Sequence, residues 1–229
     1  SPFPLRSVLC LENKVERVVA VLGNTTVPVY VVDRPVMATV AGFDLHRGVV
    51  AVAERVTEPT LAWVTSAATT VLALEGLNDP ENLGAIARAA RALGADALVL
   101  DPTCADPFAR RTVRVSMGEI LFLPVVRVAS LTDALGELSA AGFATAAFTP
   151  ASGAVSMFEW TPPEFVALVF GAEGPGLTPA ALARCDVKVR IPIRAEVDSL
   201  NVGHAVAVGL ASVAERRFSA GRGATPRGG

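Results

Sequence analysis

Runs of four or five almost purely apolar residues constrain the fold of this chain more than any other feature. Ala97–Leu100, Ala144–Phe148 and Val166–Phe170 are three such runs, and stretches with helical periodicity separate them. A strand that is apolar on both sides is buried on both faces, as in parallel sheets covered by helices. The sequence therefore predicts an α/β fold with a mostly parallel sheet and helices on both faces.

The same patterns assign elements and domains along the whole chain. In the first part we predict strands at residues 8–11, 27–32 and 49–52, and helices at 15–22 and 35–41. From residue 71 we predict strands at 71–75, 97–100, 123–128, 144–148, 166–170 and 187–191, and helices at 82–93, 107–121, 131–141, 178–184 and 201–218. These elements divide the chain into a small α/β domain (1–55), a linker with polar and proline punctuation (56–70), a larger domain (71–218) and a disordered tail (219–229).

The composition limits the classes of function. The 229 residues are 52% apolar and 18% charged with a net charge of −2, so a large core is expected and no global nucleic-acid signature is present. The three cysteines are widely spaced, which predicts reduced structural thiols in a cytoplasmic protein and neither a disulfide framework nor a metal site. No apolar run reaches the roughly 18 residues of a membrane span, so no membrane partner is expected.

The first candidate site segment is residues 74–91, LEGLNDPENLGAIARAAR. Asn82 stands where a helix cap is expected, and Arg88 follows within the helix. One interpretation is a cap and a solvated arginine. The other places an amide and a guanidinium at the carboxyl end of a strand, where open α/β sheets bind ligands.

The second segment, residues 168–177, is LVFGAEGPGL, in which Gly171, Gly174 and Gly176 surround Glu173. Such glycines indicate a loop that turns tightly or leaves room for a ligand, although a plain turn with a solvated glutamate explains them as well. The pattern matches neither a Walker loop nor a dinucleotide fingerprint.

The third segment, residues 191–210, is IPIRAEVDSLNVGHAVAVGL. A strand ends, a polar loop closes on Ser199, Leu200 and Asn201, and a run of small and β-branched residues follows. Polar groups at the mouth of an apolar segment suit a site for a neutral, polar small molecule. Taken alone, Ser199 and Asn201 are more often helix-cap residues.

In this order, the three segments resemble the three motifs of the SpoU/TrmH branch of the SPOUT RNA methyltransferases. Residues 79–84 with Arg88 resemble the first motif, residues 171–177 the second, and residues 191–193 with 199–202 the third. The resemblance covers residues 71–217. Residues 43–52 resemble the end of the small ribosomal-protein-like RNA-binding domain that often precedes this catalytic domain.

The resemblance implies methyl transfer from S-adenosylmethionine to a ribose 2′-hydroxyl of structured RNA, with ribosomal RNA favoured over transfer RNA. It also implies a C-terminal trefoil knot and a homodimer, without a DNA partner or a metal. The residues that it makes catalytic are Arg88, Asn82, Glu173, Ser199 and Asn201. Those that it makes cofactor-binding are Gly171, Glu173, Gly176, Ile191, Ser199 and Leu200.

The roles of the polar residues follow from their chemistry together with the resemblance. Because a free guanidinium stays protonated, we expect Arg88 to grip a phosphate and stabilise a developing alkoxide. Asn82 would orient Arg88 or the ribose. Glu173 would orient an arginine or hydrogen-bond the substrate.

RNA would be held by Arg110, Arg111 and Arg114, for which the alternative is a solvated helix face. We expect His204 to be packed or interfacial and His46 to be structural. Two other functions compete with the leading one. They are a non-catalytic RNA-binding protein that retains the fold, and an unrelated nucleotide-binding α/β protein, which the absence of a phosphate-loop signature disfavours.

Overall fold

The structure, a computed structural model, describes the backbone of residues 1–42 and 44–219 and the side chains up to residue 215. Within this part of the chain there are two compact units, one of residues Ser1–Thr57 and one that begins at Glu58. The predicted tail, 219–229, lies outside the described residues except for Ser219 at the end of the last helix.

The first unit is a small sheet with helices. Its elements are β1 (Leu5–Leu11), a 3₁₀ turn (Glu12–Lys14), α1 (Val15–Leu22), β2 (Val29–Val32), α2 (Arg34–Ala41) and β3 (Val49–Ala53). The strand order among the described residues is β2-β1-β3, with β1 parallel to β2 and antiparallel to β3. Val8 and Cys10 of β1 are buried with Val18 of α1, so this unit has a core of its own.

The second unit alternates strands and helices. Its helices are α3 (Leu61–Ala67), α4 (Pro80–Ala92), α5 (Arg110–Val115), a 3₁₀ turn (Glu119–Phe122), α6 (Leu131–Ala140), α7 (Pro179–Arg184) and α8 (Val202–Ser219). Its strands are β4 (Thr70–Leu74), β5 (Ala97–Leu100), β6 (Val125–Arg127), β7 (Ala144–Phe148), β8 (Val155–Ser156), β9 (Val166–Phe170) and β10 (Val187–Arg190).

These strands form a seven-stranded sheet in the described residues, in the order β6-β5-β4-β9-β7-β10-β8, and every neighbouring pair is parallel. Leu83 and Ile86 of α4 and Leu210 of α8 are buried against one face. Leu135 of α6 and Ala181 of α7 are buried against the other. The prediction of a mostly parallel α/β sheet with helices on both faces is therefore confirmed.

The parallel sheet decides where the three motif segments meet. In a parallel sheet all the carboxyl ends lie along one edge. The segments that follow β4, β9 and β10 therefore emerge at the same edge, and β4 and β9 are direct neighbours. Residues far apart in sequence, such as Asn82 and Asn201, are brought to one place in this way.

The segment predicted as a linker, residues 56–70, contains a helix, since α3 occupies residues 61–67. The hydroxyl of Thr60 caps this helix by accepting from the Trp63 amide at 3.2 Å. Val64 is fully buried in the core of the second unit. The helical part of this segment thus packs as part of the second unit.

Two predictions about helices also need correction. The helix expected over residues 107–121 breaks after Val115, where Met117 and Gly118 adopt φ values of 57° and 87°. The helix expected to start at Asn82 starts at Pro80, since the Asp79 carboxylate accepts from the Glu81 amide at 2.8 Å. Asp79 is therefore the cap, and Asn82 lies inside the first turn. No helix in the described part of the chain is both long and apolar enough to cross a membrane.

Candidate functional site

The loop after β9 is shaped by a glycine that admits no side chain. A Cβ at Gly171 would stand closer than 3.0 Å to backbone atoms of Gly176 and Leu177. The loop closes on itself through an isolated bridge between Ala172 and Gly176, in which the Gly176 amide donates to the Ala172 carbonyl at 3.0 Å. Glu173 is thus held at the tip of a tight backbone loop.

The far end of this loop is tied to the neighbouring strand. The carboxylate of Glu75, directly after β4, accepts hydrogen bonds from the Thr178 amide at 2.8 Å and the Thr178 hydroxyl at 2.9 Å. Thr178 also caps α7. Asp101 steadies the turn after Glu75 because it accepts from the Gly76 amide at 3.1 Å. Burial raises the pKa of Asp101, but hydrogen bonds led by the Gly76 amide outweigh it and lower the pKa below its usual 3.8.

Asn201 joins the three motif segments. Its Nδ2 donates to Oδ1 of Asn82 at 3.0 Å and to Oε1 of Glu173. The same Glu173 oxygen accepts from the Val202 amide at 3.4 Å, and Oδ1 of Asn201 accepts from the His204 amide at 3.3 Å. We call Asn82, Glu173 and Asn201 the polar hub. Asn201 therefore contacts one predicted residue from each of the other two motif segments directly.

A cavity of about 290 Å³ lies beside the hub, between the loop after β9 and the loop after β10. Its lining includes Gly171, Glu173, Gly176, Ile191, Ser199 and Leu200, together with Asn201. All residues predicted to bind the cofactor thus line one cavity.

The aromatic floor of this cavity is a feature that sequence reasoning missed. The rings of Phe148 and Phe170 stack with their centroids 4.6 Å apart and line the cavity together. A Cβ at Gly209 of α8 would come within 3.0–3.1 Å of both rings, so the glycine lets the helix approach them. Thr149 and Pro150, which follow β7, also line the cavity. The sequence did contain a signal for this floor, since the apolar strand β7 (Ala144–Phe148) also ends at this edge of the sheet.

Arg88 lies apart from the hub. Its side chain is exposed on α4, it is not in the cavity lining, and it makes no hydrogen bond or ion pair with another described residue. Gly84 of the same helix allows a close helix–helix contact, because a Cβ there would stand 2.8 Å from the Thr112 carbonyl of α5. The structure therefore brings Asn82 to the site and leaves Arg88 facing solvent.

The arginines of α5 form an exposed basic surface. Arg110, Arg111 and Arg114 are all exposed, and Arg111 is ion-paired with Glu81 of α4. His204 is exposed, so it is not packed inside this chain, and an interfacial role for it stays a prediction. His46 is exposed in the first unit, with Nδ1 3.7 Å from the Asp44 carboxylate.

The three cysteines are free thiols. Burial and then the neighbouring Asp101 raise the pKa of Cys104 to about 12. Burial and then Asp186 raise the pKa of Cys185 to about 11. Among the described residues, no group of three or more His, Cys, Asp or Glu side chains is placed to hold a metal ion.

Comparisons with known proteins agree on one family. The model of the SpoU rRNA Methylase family matches residues 69–211. A protein of Mycobacterium bovis described as an uncharacterized tRNA/rRNA methyltransferase is 48% identical over 190 residues, which cover 82% of this chain and 66% of that protein. This chain therefore spans just under two thirds of that relative's length.

Solved structures give the same result. An AdoMet-bound rRNA methyltransferase from Sinorhizobium meliloti superimposes with a TM-score of 0.81 at 30% identity, covering 95% of this chain and 82% of that one. An RNA 2′-O ribose methyltransferase superimposes with a TM-score of 0.74 at 26% identity, covering 94% of this chain and 83% of that one.

Proposed function

Because the chain belongs to the SpoU rRNA Methylase family, we propose that it transfers a methyl group from S-adenosylmethionine to a ribose 2′-hydroxyl of structured RNA. The observation that carries this proposal is the cavity, whose lining includes all residues expected to hold the cofactor. The similarity to an AdoMet-bound rRNA methyltransferase and to an RNA 2′-O ribose methyltransferase supports the same cofactor and the same acceptor.

The residues around the cavity fit S-adenosylmethionine. Ile191 and Leu200 supply apolar surface for an adenine ring. The loop that follows Gly171 would bring backbone N–H and C=O groups close enough to hydrogen-bond the polar edge of that ring. The carboxylate of Glu173 stands at the wall, where a negative charge favours a cationic ligand. When bound, S-adenosylmethionine supplies an activated methyl group on a sulfonium.

The chain's own residues would handle the RNA. Ser199 completes the polar wall of the cavity, and Asn201 holds Asn82 and Glu173 together. Arg88 is an exposed cation without a protein partner among the described residues, so it is free to bind an RNA phosphate. It would also stabilise the negative charge that develops on the ribose 2′-oxygen as the hydroxyl proton leaves.

Other parts of the proposal concern partners and architecture. Arg110, Arg111 and Arg114 would bind RNA phosphates, and the first unit would add an RNA-binding surface, which favours ribosomal over transfer RNA. We also propose from family membership that the segment through β10 and α8 forms a trefoil knot, and that the active form is a cytoplasmic homodimer in which His204 lies at the interface. Size-exclusion chromatography with light scattering tests the dimer.

The activity is tested by incubating the protein with S-adenosyl-[methyl-³H]methionine and unmodified total ribosomal or transfer RNA, followed by nucleoside mapping. We expect label in 2′-O-methylnucleosides, and none in DNA, which lacks the acceptor hydroxyl. Cofactor binding without transfer to either RNA would contradict the proposal in favour of a non-catalytic RNA-binding protein.

A further inference from the structure

The orientation of the Asn201 side-chain amide follows from the chemistry of its neighbours. On one side lies the backbone N–H of His204, which can only donate. On the other lies Oε1 of Glu173, which already accepts from the Val202 amide. The oxygen of Asn201 must therefore face His204, and its nitrogen must face Glu173.

This orientation passes on to Asn82. The Asn201 nitrogen also contacts the Asn82 amide at 3.0 Å. Two amide nitrogens are both donors and form no hydrogen bond with each other, so the Asn82 oxygen must be the atom that faces Asn201. The NH₂ group of Asn82 is left on the other side, where it donates to no group among the described residues.

An outward NH₂ group cannot orient Arg88. A guanidinium has five donors and no acceptor, so it offers nothing for an amide nitrogen to bind. From the sequence, Asn82 has two possible roles, orienting the arginine or orienting the ribose. The hydrogen-bond pattern excludes the first as a use for the NH₂ group and leaves the second. Its partner must be an acceptor.

We infer that Asn82 contacts the RNA directly, donating a hydrogen bond to an oxygen of its sugar-phosphate backbone, and that Asn201 and Glu173 are positioning residues that hold this donor. The inference rests on the proposed function. The receiving oxygen belongs either to a phosphate or to the ribose hydroxyl that accepts the methyl group. A donor at the reacting oxygen gains strength as negative charge develops there.

Asn82→Asp tests the inference, because it replaces the outward NH₂ donor with an acceptor oxygen and keeps the inward oxygen that faces Asn201. One carboxylate oxygen of the new aspartate can still accept from Asn201, although it then shares that donor with the Glu173 carboxylate and is repelled by it. The other replaces the outward donor with a charged acceptor, which repels an RNA oxygen. We expect methyl transfer to unmodified ribosomal RNA to fall by about 100-fold or more. We expect the variant to keep its affinity for S-adenosylmethionine, with a melting temperature only slightly lowered by the repulsion from Glu173.

Asn78→Asp is the matched control, since it makes the same amide-to-acid change at an exposed position of the loop that precedes α4. It adds the same charge, and we expect near-wild-type transfer. Steady-state kinetics then separates the two acceptors. Loss confined to kcat assigns the reacting ribose oxygen, whereas a raised KM with weaker RNA binding assigns a phosphate.

Two results would overturn the inference. If Asn82→Asp remained active, Asn82 would act as an acceptor, for example toward the Arg88 guanidinium. If Asn82→Asp lost stability and cofactor affinity together with transfer, its role would be structural. A wild-type protein that labels no RNA is a different result, since it removes the proposed function and the inference with it.

Discussion

Replacing Gly171 with alanine tests whether the tight loop after β9 shapes the cofactor cavity. The new methyl group would lie closer than 3.0 Å to backbone atoms of Gly176 and Leu177. These are backbone atoms and not the end of a flexible side chain, so the loop itself must move. The bridge between Ala172 and Gly176 is the contact that has to open.

The size of the effect follows from two terms. Overpacking of this kind costs about 1–3 kcal/mol, and the lost hydrogen bond between the Gly176 amide and the Ala172 carbonyl adds about 0.5–1.5 kcal/mol. The loop is largely exposed, so it can open instead of straining the core. We take the part that remains after this opening as about 1.5–3 kcal/mol, the lower half of the combined cost. Since each 1.4 kcal/mol is about tenfold in binding, we expect affinity for S-adenosylmethionine to fall by roughly 10- to 100-fold.

Isothermal titration calorimetry measures the affinity, and differential scanning fluorimetry measures the melting temperature. The melting temperature should fall by about 2–4 °C for each kcal/mol of stability lost. Gly174→Ala is the control, because its Cβ would meet no atom within 4 Å, although its φ of +86° adds strain. Equal losses of affinity in both variants, or wild-type affinity in Gly171→Ala, would refute the reasoning.

The remaining predictions concern the exposed arginines and the buried thiols. Arg88→Ala should lose methyl transfer yet keep cofactor affinity, because the side chain lies outside the cavity lining; a fully active variant would show that Arg88 has no catalytic role. Arg110→Ala and Arg114→Ala should each weaken RNA binding and reduce the slope of log affinity against log salt by about one, measured by filter binding at several salt concentrations. An unchanged slope would mean that these side chains touch no phosphate. Burial raises the pKa of Cys104 to about 12 and that of Cys185 to about 11, against an ordinary 9.0, so the folded state keeps both thiols protonated at pH values where the unfolded chain ionises them. The free energy of unfolding should therefore be full below pH 9 and fall as pH rises toward 11–12. That fall should be smaller when Cys104 is replaced by alanine. Alkylation of the native thiols at pH 8 should be slow.

Strands buried on both faces were the most predictable part of the fold. The runs at Ala97–Leu100, Ala144–Phe148 and Val166–Phe170 form strands with the bounds that the sequence predicts. Their signal is strong because nearly every position is apolar, Thr145 being the exception. The two-residue strand β8 (Val155–Ser156) carries no such signal, since it pairs only at the sheet edge and Val155 is 42% exposed.

Helix boundaries were less predictable because competing local contacts decide them. Asp79 and Asn82 are both good capping residues, and the structure uses Asp79 since Pro80 then occupies the first helical position. The break after Val115 depends on Met117, a residue with a positive φ that its side chain does not favour. Neither choice follows from hydrophobic periodicity.

In the candidate site, too, the general arrangement was predictable and the local contacts were not. Residues that form the cavity were predictable as a set, because a parallel sheet brings the loops after β9 and β10 to one edge whatever their details. The role of an individual asparagine in that set was not predictable. An asparagine side chain can donate or accept a hydrogen bond, and its position in the sequence does not say which of the two it does. Only the contact of Asn82 with Asn201, 119 residues away, makes the choice. The His204 amide and the Glu173 carboxylate fix the orientation of Asn201, and Asn201 fixes that of Asn82. The role proposed for Asn82 therefore depends on a hydrogen-bond direction that two other residues determine.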